Sequence, residues 1–315
     1  MRQYLIQRLL LSIPTVIGVS IVVFMMVRLL PGDVVDIIIS DQSISPEVRE
    51  TIRKQFRLNA ALHVQYWEWS TGLLRGDLGT DLLTQRPIAP DLKSRGLVTL
   101  ELNALALLMA LVISIPVGIL AAVRQDSAPD YLARSTAIGM LALPNFWLGV
   151  LVYTVPSLLW KWTPPLAYVR FEDDPATNLY ILCIPAAIMG SGLAGGQLRL
   201  IRTQLLEVLR QDYIRTAWAK GLRERTVIVR HALKNALIPV VTLVGIQVPI
   251  LIGGAVVIEY IFSIPGLGRW LVDSILQRNY TVVQAINLVV AVLVVFVNLV
   301  VDMTYSYLDP RIRYR

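Results

Sequence analysis

The segment Asp212–Pro239, DYIRTAWAKGLRERTVIVRHALKNALIP, stands apart in a chain that is otherwise strongly apolar. It holds six Lys or Arg residues and one His against two acids, with Gly221 near its middle and Pro239 at its end. Tyr213, Ile214, Ala217 and Trp218 recur at i, i+1, i+4 and i+5, which places them on one face of a helix. Gly221 supplies a left-handed stop, with apolar Leu222 directly after it. A second helix is expected from about Thr226, with Val227, Ile228, Ala232 and Leu237 on one side. The reading is two short amphipathic helices folded at Gly221. The first is the end of a helix expected to run from Gln197 to Lys220 and to continue the fourth span into the cytoplasm.

The surrounding chain decides where those helices sit. Of 315 residues, 55% are hydrophobic, and the mean hydropathy is +0.61. The apolar residues come in long blocks, and a block of about 20 residues crosses a bilayer core of roughly 30 Å. Six blocks qualify: Leu9–Leu30, Leu97–Val123, Ala133–Trp160, Leu179–Leu193, Leu237–Phe262 and Val282–Tyr305. The fourth is the shortest and borrows length from Ala176 or from the glycines near Gly196. The N-terminal block has basic flanks like a signal peptide, but it is long enough to span and reads as a retained first span. The fold class is therefore all-α membrane protein with six transmembrane helices.

Charge sets the orientation. With the N-terminus inside, residues 1–8, 124–134, 197–236 and 307–315 carry 16 Lys or Arg against 6 acids. The outer segments 31–96, 161–176 and 263–281 carry 12 against 13. The positive-inside rule then makes both termini cytoplasmic and turns the net charge of +7 into topology rather than a nucleic-acid signature. The organisation is a tail and first span (1–30), an outer helical segment (31–96), a five-helix core (97–306) whose cytoplasmic loop covers 197–238, and a cytoplasmic tail (307–315).

In the outer segment, Ser45-Pro46-Glu47 opens a helix with Val48, Ile52 and Phe56 as its stripe. A second helix is expected from His63 to Arg75, stopped by Gly76. Its Tyr66, Trp67, Trp69, Leu73 and Leu74 suit the lipid headgroup layer, and both a docking face and a packed plug fit them.

Catalytic and metal chemistry find no foothold. His63 and His231 fall on opposite sides of the membrane, no GxxxxGK[ST] occurs, and the lone Cys183 permits no intrachain disulfide. Gly192, Gly195 and Gly196 read as close helix packing. The charged residues near spans (Arg28, Glu101, Arg134, Glu259, Asp302) all lie within about two turns of a span end, where snorkelling is cheap. Deep polar groups are neutral: Asn145, Gln247, Gln284, Asn287 and Asn298. They suit either a pathway lining or helix-to-helix bonds. Pro14, Pro116, Pro144, Pro185 and Pro249 fall within spans. Pro249 with Gly245, Gly253 and Gly254 makes the fifth span the expected irregular, path-lining helix.

Three partners could take the opening segment: anionic lipid, nucleic acid or a protein groove. A single Trp on the apolar face does not make a base-stacking groove, which argues against nucleic acid. Thr216, Ala217, Ala219 and Gly221 permit close backbone approach and favour a protein.

The segment resembles the EAA loop of ABC-importer permeases, in the dipeptide/oligopeptide permease family. Where the general motif has Glu-Ala-Ala before Gly, this chain has Arg215-Thr216-Ala217 before Gly221, so the Glu is missing. The acidic-aromatic pair Asp212-Tyr213 and Asn235–Pro239 resemble the peptide branch. RLLLSIPTVIGVSIVVFMMVRLLPGD, GDLGTDLLTQRPI, TLELNALALLMALVISIPVGILAAVRQDS, LPNFWLGVLV and VIEYIFSIPGLGRWLVDSILQRNYTVVQA are similar to that family too.

The resemblance implies a type I importer permease fold in a bacterial plasma (inner) membrane. It implies a second homologous permease, two P-loop ATPases that hold ATP and Mg, a solute-binding protein, and no cofactor in this chain. It implies ATPase coupling through Asp212, Tyr213, Arg215, Thr216, Ala217, Trp218, Lys220, Gly221 and Leu222. The translocation path is assigned to Asn145, Gln247, Pro249, Gly253, Gln284 and Asn287, and binding-protein contact to Glu259, Pro265, Gly266 and Arg269. Dipeptides or oligopeptides are the expected cargo; nickel complexes, glutathione or oligosaccharides are the alternative within the same role, and a stand-alone channel or carrier is the reading from another class.

Overall fold

A computed structural model describes residues 2–29, 60–165 and 167–308. The expected helix at Ser45–Phe56 and most of the C-terminal tail lie outside the described residues. The described residues are overwhelmingly helical: α1 (Arg2–Leu29), α2 (Leu62–Leu74), α3 (Ile88–Val123), α4 (Ala128–Ala142), α5 (Asn145–Trp160) and α6 (Pro175–Leu209). Then follow α7 (Asp212–Ala219), α8 (Glu224–Thr226), a π-helical stretch Val227–Ala232, and α9 (Leu233–Ala236). The chain closes with α10 (Ile238–Ile261), α11 (Leu267–Leu276) and α12 (Tyr280–Leu308).

Among the described residues, α3, α6, α10 and α12 are each long and apolar enough to cross a membrane. The pair α4 and α5 makes a fifth crossing, bent by 94°. In α1 the apolar run is Leu10–Met26. Six apolar segments are therefore present, but the third is not the single helix that its hydropathy suggests. The break falls at Leu143-Pro144. A residue before proline is pushed out of the α region, and Leu143 is extended (φ −94°, ψ 122°). Pro144 then precedes α5, whose first turn is closed by Leu148 N–H donating to Pro144 O. The other prolines behave differently. Pro14, Pro116, Pro185 and Pro249 sit inside continuous helices. The fifth span, expected to be the most irregular, is an unbroken helix of 24 residues. The irregular backbone lies at Pro144 and in the π-helical stretch instead.

The chain divides into two compact units, residues 1–98 with 266–299, and residues 99–265 with 300–315. In the first, Ile88, Leu267, Trp270, Val282, Ala285 and Ile286 form a buried cluster. The outer loop before α3 is fixed there by Asp81. Its Oδ1 accepts from Leu83 N–H (2.8 Å), Thr84 N–H (3.1 Å) and Asn279 Nδ2 (2.7 Å). Arg95 lies over the Trp270 ring at 5.0 Å, a cation–π contact.

The second unit is built around α6. Small residues let helices approach it closely, since a Cβ at Gly190 would stand 2.6 Å from Ala106 O and one at Gly195 would stand 2.8 Å from Ala137 O. That is the small-residue packing membrane helices use in place of hydrophobic force, and it accounts for Gly190 and Gly195. Asp130 on α4 and Arg202 on α6 form a bidentate pair at 2.6 and 2.7 Å, with the Asp130 side chain fully buried. Asp126 N–H also donates to Asp130.

Candidate functional site

The cytoplasmic loop begins where α6 stops. The helix does not run through to Lys220: Arg210 and Gln211 interrupt it, and α7 starts afresh at Asp212. The stop at Gly221 holds in detail. Gly221 has φ +72°, its N–H donates to Trp218 O, and Leu222 N–H donates to Ala217 O. This is the Schellman arrangement, in which the left-handed residue turns the chain back on the last carbonyls. The following helix begins at Glu224, two residues before the expected Thr226. Its next six residues are π-helical.

Packing splits the face that the sequence treats as one. Ile214 and Ala217 are buried with Ala122, Leu205, Val227, Ala232 and Ala236. Leu222 packs against the same cluster. Ala217 and Leu222 therefore hold the loop onto the inner ends of α3 and α6. Tyr213 and Trp218 are exposed, as are Asp212, Arg215, Thr216, Lys220 and Gly221. Tyr213 is fixed from the side, since Asn235 Nδ2 donates to its hydroxyl at 2.8 Å. The signal that could have separated Ala217 from Trp218 is the i, i+3 pair Ile214–Ala217 pointing to the same side as Leu222.

The residues assigned to the path do not behave as one group. Gln247 is buried, and its Oε1 accepts from Gln197 Nε2 at 2.8 Å, while Gln197 Oε1 accepts from Ser114 Oγ at 2.8 Å. Gln247 is thus bonded to α6, and through Gln197 the three helices α3, α6 and α10 are tied together, which is the helix-to-helix reading. Gln197 and Ser114 were not singled out from sequence, because a lone Gln at a span end and a lone Ser carry no periodic signal. Asn145 opens α5 at the bend, with its side chain against Gly192, where a Cβ would stand 3.1 Å from Oδ1. Gly253 is exposed with open space around it, and Pro249 is half-buried. These four lie in the second unit. Gln284 and Asn287 lie on α12 in the first, where Asn287 Nδ2 donates to Val283 O of its own helix.

The outer residues are also redistributed. Glu259 is fully buried and accepts from Thr99 Oγ1 at 2.6 Å, so it is a strut between α3 and α10 and not a surface contact. Glu101 likewise does not reach for water: one of its oxygens accepts from Tyr168 at 2.9 Å. Burial, reinforced by that bond to Glu101, pushes the Tyr168 phenol up to about 12. Gly266 is buried, Pro265 is half-buried, and Arg269 pairs with Asp273 at 3.8 Å.

Apolar crossings and a helix–Gly–helix packed on two span ends define a multi-pass membrane protein. The chain belongs to the family described as binding-protein-dependent transport system inner membrane component, whose model matches residues 114–314; the model of that component's N-terminal part matches residues 1–86. It is 38% identical to the dipeptide transport system permease protein DppB of Escherichia coli strain K12, over the whole of both chains. It is 39% identical to the oligopeptide transport system permease protein AppB of Bacillus subtilis strain 168, again over both full lengths. It is 38% identical to the glutathione transport system permease protein GsiC of Salmonella typhimurium strain LT2, with the same coverage. Among solved structures, the inward-facing MetNI methionine ABC transporter superposes with a TM-score of 0.55 at 19% identity, covering 69% of this chain and 96% of that one. That likeness gives the fold, a type I importer permease. The protein is thus a multi-pass inner-membrane permease subunit of an ABC importer. It is a transport subunit and not an enzyme, and its family works with a binding protein and an ATPase.

Proposed function

We propose that this chain forms half of the translocation pathway of an importer for dipeptides or oligopeptides. Its partners in this reading are a second, homologous permease, two ATPase subunits and an extracytoplasmic peptide-binding protein. The observation that carries the cargo is full-length identity of 38–39% to a dipeptide and an oligopeptide permease. The similarity to a glutathione permease supports a second reading, a small peptide with a γ-linkage.

Coupling to the ATPase is assigned to the exposed side of α7. Tyr213, Trp218 and Lys220, with Asp212, Arg215 and Thr216, offer aromatic and charged contacts at the cytoplasmic end of the molecule. The Gly221 turn and the Ile214–Ala217 packing hold that side rigidly to α3 and α6. A push on α7 would then move spans instead of bending a loop, which suits rigid-body alternation between inward- and outward-open states.

The test is uptake by the complete importer in proteoliposomes, with labelled dipeptide, pentapeptide and glutathione offered in turn. Saturable ATP-dependent uptake of either linear peptide is expected. Uptake of glutathione alone would overturn the linear-peptide cargo and leave the permease role standing.

A further inference from the structure

We propose that α2 is an interfacial helix sunk in the outer leaflet of the bilayer, with Trp67 and Leu74 turned to lipid. This rests on the membrane placement of α1 and not on the cargo.

The depth of α2 is set by what it touches. Ser20 Oγ and Tyr66 OH are 2.8 Å apart, and Phe24 packs on Tyr66 (ring centroids 5.3 Å) and Trp69 (5.7 Å). Ser20 and Phe24 both lie inside the apolar run Leu10–Met26 of α1. At a rise of 1.5 Å per residue, Ser20 is about 9 Å below the outer end of that run. The Tyr66 hydroxyl therefore reaches well beneath the membrane surface, and the Trp69 ring sits near its boundary. A 13-residue helix is about 20 Å long, too short to cross, and suits a segment lying at the interface.

Several polar side chains of α2 are satisfied without water, although His63 at its start stays exposed. Its hydroxyls and one amide turn back on their own backbone: Ser70 Oγ to Trp67 O (3.1 Å), Thr71 Oγ1 to Trp67 O (2.8 Å), and Gln65 Nε2 to Ala60 O (2.8 Å). Where water cannot serve, polar groups must be satisfied within the chain. The side of α2 turned away from Tyr66 and Trp69 carries Trp67, 69% exposed, and Leu74, 88% exposed. The apolar exposure continues along α1, where Ile21, Val22, Met25 and Met26 are also uncovered. An indole at the headgroup level is a preferred membrane anchor. The occupant of this surface is thus the outer leaflet.

The experiment places a nitroxide at W67C and, separately, at L74C in a C183S background of the complete importer in nanodiscs. V22C on α1 is the placement control and D77C the water control. Continuous-wave EPR saturation compares collisions with oxygen, which concentrates in lipid, and with a nickel chelate, which stays in water. Positions 67 and 74 are expected to favour oxygen several-fold over position 77, approaching position 22. Preference for the nickel chelate would show a water-facing helix and overturn the proposal. Exclusion of both reagents would show a protein cover and overturn it too. A water-like signal at position 22 would instead condemn the placement of α1. A second reading compares wild type with W67F: brominated lipid should quench the wild type more, and equal quenching counts against lipid contact.

Discussion

Gln197 stands between two partners: its Nε2 donates to Gln247 Oε1 at 2.8 Å, and its Oε1 accepts from Ser114 Oγ at 2.8 Å. One amide thus uses both ends to bind helices α3 and α10 to α6, in a region where water offers no replacement. Gln197→Leu removes both bonds and leaves Gln247 and Ser114 short of partners, at an expected cost of about 1–3 kcal/mol. Adding Gln247→Leu to that variant should cost less than the two single changes summed, since the orphaned group is then gone. Thermal unfolding of the purified importer measures both. Strict additivity would show that the amides do not act as a pair.

Asp130 and Arg202 make the corresponding test for charge. Asp130→Asn leaves the guanidinium of Arg202, largely buried, without its counter-ion, and breaking such a pair costs about 3–5 kcal/mol. The double change Asp130→Leu with Arg202→Met should recover most of that loss, because two desolvated charges disappear together. The readout is the thermal midpoint of the complex in detergent. A double variant as unstable as Asp130→Asn would mean that packing, and not charge, sets the cost.

What could be read from sequence follows from what periodicity and charge encode. The six apolar segments and their orientation follow from block length and Lys/Arg counts, and Gly221 shows itself as a helix stop followed by an apolar residue. The 94° bend is only half visible in the sequence: Pro144 reads as a helix-bending residue, but so do Pro14, Pro116, Pro185 and Pro249. Every proline removes one helix hydrogen bond and crowds the carbonyl four residues back; whether the helix then bends slightly or breaks depends on neighbours which sequence does not list. The same limit explains Glu259 and Ala217. A carboxylate near a span end reads as solvent-seeking until Thr99 is known to face it. Ala217 reads as an outward small residue until Leu205 and Ala236 are seen to close over its side. The polar chain through Ser114 and Gln197 is invisible in sequence because it has meaning only across three helices.

The split face of α7 predicts two different failures. Ala217→Glu forces a charge into the cluster with Leu205 and Val227, so the importer should lose expression and thermal stability before any coupling is tested. Trp218→Ala removes only an exposed ring and should leave the stability within about 0.5 kcal/mol of wild type. Its transport and peptide-stimulated ATP hydrolysis should nevertheless fall by about tenfold, the loss typical of a central aromatic contact worth about 1.4 kcal/mol or more. Normal coupling in a folded Trp218→Ala importer would remove α7's exposed side as the transmission surface.

Tyr168 gives the outer side a pH signature. Its phenol donates to Glu101 at 2.9 Å, and burial followed by that bond raises it from 10.0 to about 12. The neutral form is the one that the folded protein holds. The contribution to stability is therefore complete below the unfolded value of 10.0 and is lost as the pH rises through about 12. Tyr168→Phe deletes the hydroxyl and with it the pH dependence. The gap in thermal midpoint between wild type and Tyr168→Phe should stay constant up to about pH 10 and close toward pH 12. Ultraviolet difference spectra of the same pair should show one late-titrating phenol. A gap that closes below pH 10 would show that Tyr168 is open to water, and the strut it forms with Glu101 would have to be abandoned.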